Sequence, residues 1–235
     1  MSDLATRVAD VRARVERAAR VVGRDPNAVK LLAVSKTQAP DRVLEAVAAG
    51  LHAFGENRVQ EAAEKIPAVR AACAAPLEWH LIGGLQRNKA RRAVELCDVI
   101  QSVDRPELLY ALDKAAGELG RRPRIFLQVN IDREPQKGGC MPSTLASLAE
   151  VADACANLEL VGLMAIPQLW DNAEQVRPSF ARLRALLADL NRTRPRERTL
   201  GELSMGMTGD FEVAVQEGAT WLRIGTALFG ERGDA

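Results

Sequence analysis

A chain of 235 residues with 32 basic and 31 acidic side chains has a net charge of +1, too balanced to draw in nucleic acid or an anionic membrane surface. Its composition, 47% hydrophobic and 27% charged, is that of a globular protein with apolar mass for a large core. Cys73, Cys97, Cys140 and Cys155 show no CxxC spacing, and His52 and His80 are the only histidines, so the composition argues against a zinc site.

Reduced thiols fit a cytoplasmic protein. The first 25 residues are charged throughout and lack the apolar stretch of a signal peptide, and no apolar run approaches bilayer length. Two local basic clusters, Lys89-Ala90-Arg91-Arg92 and residues 192–198, read as solvated helix surface or loop.

In chain order, Leu4, Val8, Val11, Val15, Ala18, Ala19 and Val22 fall at helical spacing and predict an amphipathic helix over 3–23. Gly23 and the turn at 25–27 end it. Short β-prone apolar runs then recur at 31–35, 51–54, 79–82, 99–103, 125–129, 160–166, 200–205 and 221–224. Between them lie helical segments such as 40–49, 58–72, 106–119, 143–156, 179–190 and 210–217. Strict alternation implies a parallel sheet with right-handed crossovers. Eight units in this length favour a closed (β/α)8 TIM barrel, with one extra helix in front, as a single domain over 1–235. The alternative is an open doubly wound sheet, but no GxGxxG follows the first strand.

In such a barrel the chemistry sits where strands end. The first strand ends in Ser35-Lys36-Thr37, the second in Gly55-Glu56-Asn57-Arg58, and the third carries WHLIGGLQRNK with His80. The seventh gives Ser204-Met205-Gly206-Met207-Thr208 and the eighth Arg223-Ile224-Gly225-Thr226. Loops after strands 7 and 8 are frequent phosphate sites, because glycine lets backbone N–H groups approach the anion and a hydroxyl adds a donor. Arg223 adds a permanent positive charge. A lysine opposite such a cradle can form a Schiff base with a phosphorylated carbonyl compound. The residues alone leave two readings open: pyridoxal 5′-phosphate (PLP), and a sugar-phosphate aldolase.

Six segments in order, LLAVSKTQ, FGENRVQE, WHLIGGLQRNK, VNIDREPQKGG, GLMAIP and LSMGMTGDFEVAVQEGATWLRIGTALFG, resemble the pyridoxal phosphate homeostasis proteins across essentially the whole chain. That family looks like the N-terminal barrel of alanine racemase without its second domain. The resemblance implies a fold-type III PLP barrel with Lys36 as the aldimine lysine. It places Ser204, Gly206, Gly225 and Thr226 around the phosphate, and Arg223 near either the phosphate or the pyridine nitrogen. Asn57 would reach the ring edge, and Met205 or His80 would pack in the pocket. An arginine at the pyridine nitrogen would weaken the cofactor as an electron sink. Two departures stand out: Gly84 replaces the histidine of the usual IGHLQ, and Thr208 replaces a serine.

A racemase needs a base on each face of its substrate. The sole tyrosine, Tyr110, reads as a surface or packing residue of the helix after strand 4, and Cys140 as a loop thiol or an activated one. Lys137, on a glycine-flanked loop after strand 5, is a candidate second amine for handing PLP on. The favoured reading is a non-catalytic, cytoplasmic, monomeric PLP carrier that limits free aldehyde and transiently supplies apo-enzymes. An amino-acid racemase and a PLP-independent aldolase are the alternatives.

Overall fold

The computed structural model describes residues 3–230. Helix α1 (Asp3–Val21) buries Leu4, Val8, Val11, Val15, Ala18 and Ala19, the stripe its periodicity predicts except for Val22, which lies past the helix end and is exposed. Eight strands follow, β1 (Lys30–Val34), β2 (Ala53–Glu56), β3 (Glu78–Leu81), β4 (Val99–Val103), β5 (Arg124–Gln128), β6 (Glu159–Met164), β7 (Glu202–Ser204) and β8 (Trp221–Ile224). The intervening helices are α2 (Pro40–Ala48), α3 (Val59–Ala72), α4 (Ala90–Leu96), α5 (Pro106–Leu119), α6 (Leu145–Ala154), α7 (Arg177–Thr193) and α8 (Phe211–Gln216); α9 (Thr226–Phe229) follows β8. The strands form a closed parallel barrel in sequence order. The ring closes where β1 pairs with β8, from Lys30 against Trp221 to Ala33 against Ile224.

Closure is reinforced from outside by α1. Arg14 meets Glu212 of α8 at 2.7 Å and stacks over the Phe211 ring at 4.5 Å. Arg24, just past α1, donates to the carbonyls of Val215 and Ala219. The extra helix therefore locks the last βα unit in place.

Most apolar side chains, Phe54, Trp79, Phe180 and Phe211 among them, pack between barrel and helices. A smaller cluster of Leu32, Ile82, Val99, Phe126, Met164 and Trp221 fills the lumen. The lumen also holds charge. Strands β1, β3, β5 and β7 each begin with a charged residue, Lys30, Glu78, Arg124 and Glu202, which pair as Lys30–Glu202 (2.7 Å) and Arg124–Glu78. Alternate strands supplying one layer is the packing rule of this barrel.

Observed strands lie within a residue or two of most expected ones. The second and seventh start later because Leu51 and Leu200, though buried, precede the strand pairing. Helix α4 occupies a segment that the sequence left without a distinct helical pattern.

Candidate functional site

At the C-terminal ends of the strands, Lys36 sits on a turn whose conformation the surroundings impose. Thr37 has φ +65°, a left-handed conformation that is unfavourable for a β-branched residue. Ser35 fixes the near side: its N–H donates to Gly55 O (3.0 Å) and its hydroxyl to Glu56 (2.7 Å). Lys65 of α3 donates to Ser35 O (2.6 Å), Glu56 (2.8 Å) and Glu61 (2.7 Å), and Glu61 in turn accepts from Thr37 N–H. Burial pushes the Glu56 carboxyl upward, against the pull of Lys65, and its Oε2 is buried without a partner. This cluster lies outside the barrel wall and clamps the turn from behind. Strand alternation then sends Lys36 to the inner side.

Lys36 Nζ makes no hydrogen bond or ion pair with any described residue. Two other lysines on this side are engaged, Lys65 as above and Lys137 by Pro167 O (2.7 Å) and Glu134 (2.5 Å). A recess of about 40 Å³ lies in front of Lys36, lined by Val34, Thr37, Gln38, Gly225, Thr226 and Phe229. The structure thus brings Lys36, Gly225 and Thr226 together.

The loops after β7 and β8 are tied to each other. Thr208 Oγ1 accepts from Ala227 N–H (3.3 Å), so the threonine that replaces a serine still uses its hydroxyl. Asp210 Oδ1 accepts from Met207 N–H (2.6 Å), and Gly206 O accepts from Arg223 N–H (3.0 Å). Gly206 has φ +91°, and a Cβ there would come within 2.5 Å of the Ala214 Cβ, so only glycine fits the turn.

Six expected site residues do not line the recess: Asn57, His80, Ser204, Met205, Gly206 and Arg223. Met205 is fully buried and packs in the outer core between barrel and helices. Ser204 is also fully buried, its hydroxyl donating to Gln101 Oε1 (2.6 Å) and accepting from Arg223 Nη1 (2.8 Å). His80 is sealed in the lumen between Glu78, Gln101 Nε2 (2.7 Å) and the Trp221 ring (4.7 Å between centroids). Arg223 is 4% exposed and donates also to Ala165 O (2.7 Å); burial pushes its pKa down to about 10, which leaves it cationic near neutral pH. Asn57 follows β2 on the inner side. The chain passing over it must have glycine at Gly83, where a Cβ would lie 2.1 Å from Asn57 O.

The family model for the alanine racemase N-terminal domain matches residues 7–233. The pyridoxal phosphate homeostasis protein of Pseudomonas aeruginosa is 47% identical over 233 residues, covering 99% of this chain and 97% of that protein. The chain belongs to the pyridoxal phosphate homeostasis protein family. The homeostasis protein of Aquifex aeolicus is 42% identical over 96% of this chain and 97% of its own. PipY of Synechococcus elongatus, solved with PLP bound, matches at 44% identity and a TM-score of 0.81, over 92% of this chain and 100% of PipY. Alanine racemase of Clostridium difficile, 12% identical with a TM-score of 0.72, shares the fold; this chain spans 58% of it.

In this member of the homeostasis family, the remaining candidates are held away from free reaction. Tyr110 projects from α5 and is 59% exposed, the surface position expected of it. Burial pushes the Cys140 thiol up to about 12, which removes the activated-thiol reading. The loop carrying Lys137 is pinned: Cys140 pairs with Val129, Gly139 N–H donates to Asp104 (3.2 Å), and Gln128 donates to Gly138 O (3.0 Å). The sequence reading passed over Glu78, Gln101, Lys65 and Glu61. Gln101, a polar residue in the wholly buried strand VIQSV, was the one legible signal.

Proposed function

We propose that the chain binds PLP at the barrel mouth through Lys36 and serves as a carrier of the cofactor rather than as an enzyme. The observation that carries the reading is the unengaged Lys36 amine at the Gly225–Thr226 recess, while Lys65 and Lys137 are held by acceptors. PLP supplies an aldehyde, which the lysine takes up in a C=N linkage with loss of one water.

The residues fit the group. A Cβ built at Gly225 would meet Val34 at 3.6 Å, ordinary contact, so the chain's own packing leaves room there that the sequence does not fill. That room, with the Thr226 hydroxyl and the Gly225 and Thr226 backbone N–H groups, suits a phosphate. Arg223 stands on the last strand beside this cradle, and Asn57 follows β2, the strand on the far side of β1 from it. Ser204 and Met205 would act through the backbone or through Arg223 rather than by touching the phosphate.

A carrier role is supported by the groups that would otherwise serve as a second base. Tyr110 faces solvent from α5, Cys140 keeps its proton, and His80 is sealed beneath the mouth. The relatives' family name points the same way. The protein would act as a cytoplasmic monomer that limits free aldehyde and releases PLP to apo-enzymes; no helix among the described residues is long and apolar enough to cross a membrane.

The test is the near-ultraviolet and visible spectrum of the protein with PLP, for the unsubstituted chain and Lys36→Ala, before and after borohydride. A yellow band that requires Lys36 and is fixed covalently by reduction is expected. A band that survives in Lys36→Ala would overturn the assignment of the lysine. Racemisation of amino acids by the loaded protein would overturn the carrier reading.

A further inference from the structure

A single run of hydrogen bonds crosses the barrel lumen from its N-terminal face to the mouth. Arg124 donates to Glu78, which faces His80 Nε2; His80 Nδ1 faces Gln101 Nε2 at 2.7 Å. Gln101 Oε1 accepts from Ser204 Oγ at 2.6 Å, and Ser204 Oγ accepts from Arg223 Nη1 at 2.8 Å. Arg223 Nη2 ends the run on Ala165 O at 2.7 Å. His80, Gln101 and Ser204 are each completely buried, so no water competes for these partners. The lower end opens into a cavity of about 520 Å³ lined by Lys30, His52, Glu78, Asp98 and Trp221.

The partners define a direction. Despite burial, contacts to His80 and Arg124 hold the Glu78 carboxyl down at about 2, so it can only accept, and His80 Nε2 must carry a proton. Burial pushes the His80 pKa down, which leaves the ring neutral and Nδ1 an acceptor. Gln101 must then turn its amide nitrogen to His80 and its oxygen to Ser204, and the Ser204 lone pair faces Arg223. From Arg223 Nη1 through Ser204, Gln101 and His80, every proton points away from the mouth and toward Glu78, where Arg124 meets it from the N-terminal face.

We infer that Glu78, His80, Gln101 and Ser204 are positioning residues that hold the Arg223 guanidinium in one pose under the bound cofactor, with Gln101 as the link that transmits it. The inference rests on the reading that PLP occupies the mouth above Arg223. Its content is that the cofactor's electronic state and its release are set partly by side chains at the centre of the barrel that never touch it.

Two measurements test it. Long-range 1H–15N spectra of the unsubstituted protein at pH 7 report the His80 tautomer, with His52 as the only other histidine to resolve. Protonation at Nε2 alone is expected; an imidazolium with both nitrogens protonated would reverse the Gln101 amide and overturn the polarity. The second measurement compares PLP-loaded Gln101→Met and Gln101→Glu with the unsubstituted holoprotein. Gln101→Met, which cannot accept from Ser204, is expected to shift the visible band and to release PLP about tenfold faster, the scale of one lost buried hydrogen bond. Gln101→Glu keeps the acceptor, so band and release stay near the original while His80 gains its second proton. An unchanged band and release rate in Gln101→Met would overturn the relay. Should Gln101→Met fail to fold, the tautomer of the unsubstituted protein still decides the polarity. Failure of that protein to take up PLP would instead overturn the function proposed above, whatever the tautomer.

Discussion

Lys65 Nζ lies 2.6 Å from Ser35 O, so a buried lysine on α3 holds the backbone immediately before the lysine assigned to the cofactor. One amine is committed to structure so that the other can be free. The two differ in every physical respect that matters: Lys65 is 5% exposed with three acceptors, whereas Lys36 is partly exposed with none among the described residues.

Removing the buried partner tests that division of labour. Lys65→Met leaves Glu56, already carrying one unpartnered oxygen, without its counter-charge. Loss of about 3 kcal/mol in urea denaturation is expected, the usual cost of stranding one member of a buried pair. The left-handed Thr37 turn should loosen with it, seen as weaker PLP retention. Stability within about 0.5 kcal/mol of the original would show that the cluster is dispensable.

Gly206→Ala should be damaging for two independent reasons, a positive φ and a Cβ 2.5 Å from Ala214. A loss of about 2–3 kcal/mol is expected. Because Gly206 O also receives the Arg223 N–H, weaker PLP binding should accompany it.

Acid should destabilise the fold through the lumen. Glu78 titrates at about 2 in the folded state against 4.5 ordinarily. A depressed carboxyl contributes stability above its unfolded pKa, and that stability is lost as pH falls from about 4.5 toward 2. His80, kept neutral by burial, acts with the same sign from 6.5 downward, since the unfolded chain takes up the proton more readily. Thermal melts should therefore drop below pH 6.5 and again below 4.5. In Glu78→Gln the second drop should shrink; an unaltered profile would count against the ion pair's contribution.

Thiol labelling should separate the four cysteines. Cys97 and Cys140 are pushed up to about 12 and Cys155 to about 11, all by burial first, while Cys73 is partly exposed. Iodoacetamide at pH 8 should modify Cys73 first, with the rest reacting only on unfolding. Rapid labelling of Cys140 would restore the activated-thiol reading.

The barrel was legible because alternation between short β-prone runs and helical stripes is a local property, and strand ends follow from it. That Lys36, Gly225 and Thr226 meet at one recess was legible for the same reason, since they follow the first and last strands. What escaped was set by pairing across strands. Ser204 looked like a phosphate donor because its neighbours are glycine-rich; its partners, Gln101 and Arg223, come from elsewhere around the ring. The packing of Met205 in the outer core was not legible either: one step along a strand reverses the face, and Ser204 already takes the inner one. The short helix α4 lacked enough turns to print a period.

Closure between β1 and β8 has a consequence for biosynthesis. Lys36 lies just after the first strand and the Gly225–Thr226 cradle just after the last, and the two meet only when those strands pair. During translation the amine leaves the ribosome early, while the Gly225–Thr226 side of the recess is still unmade. On the proposed reading no partly synthesised chain can hold the cofactor in this way, and a long-range pairing of this kind forms late in folding. Assembly of the complete recess thereby reports that the chain has been made through β8.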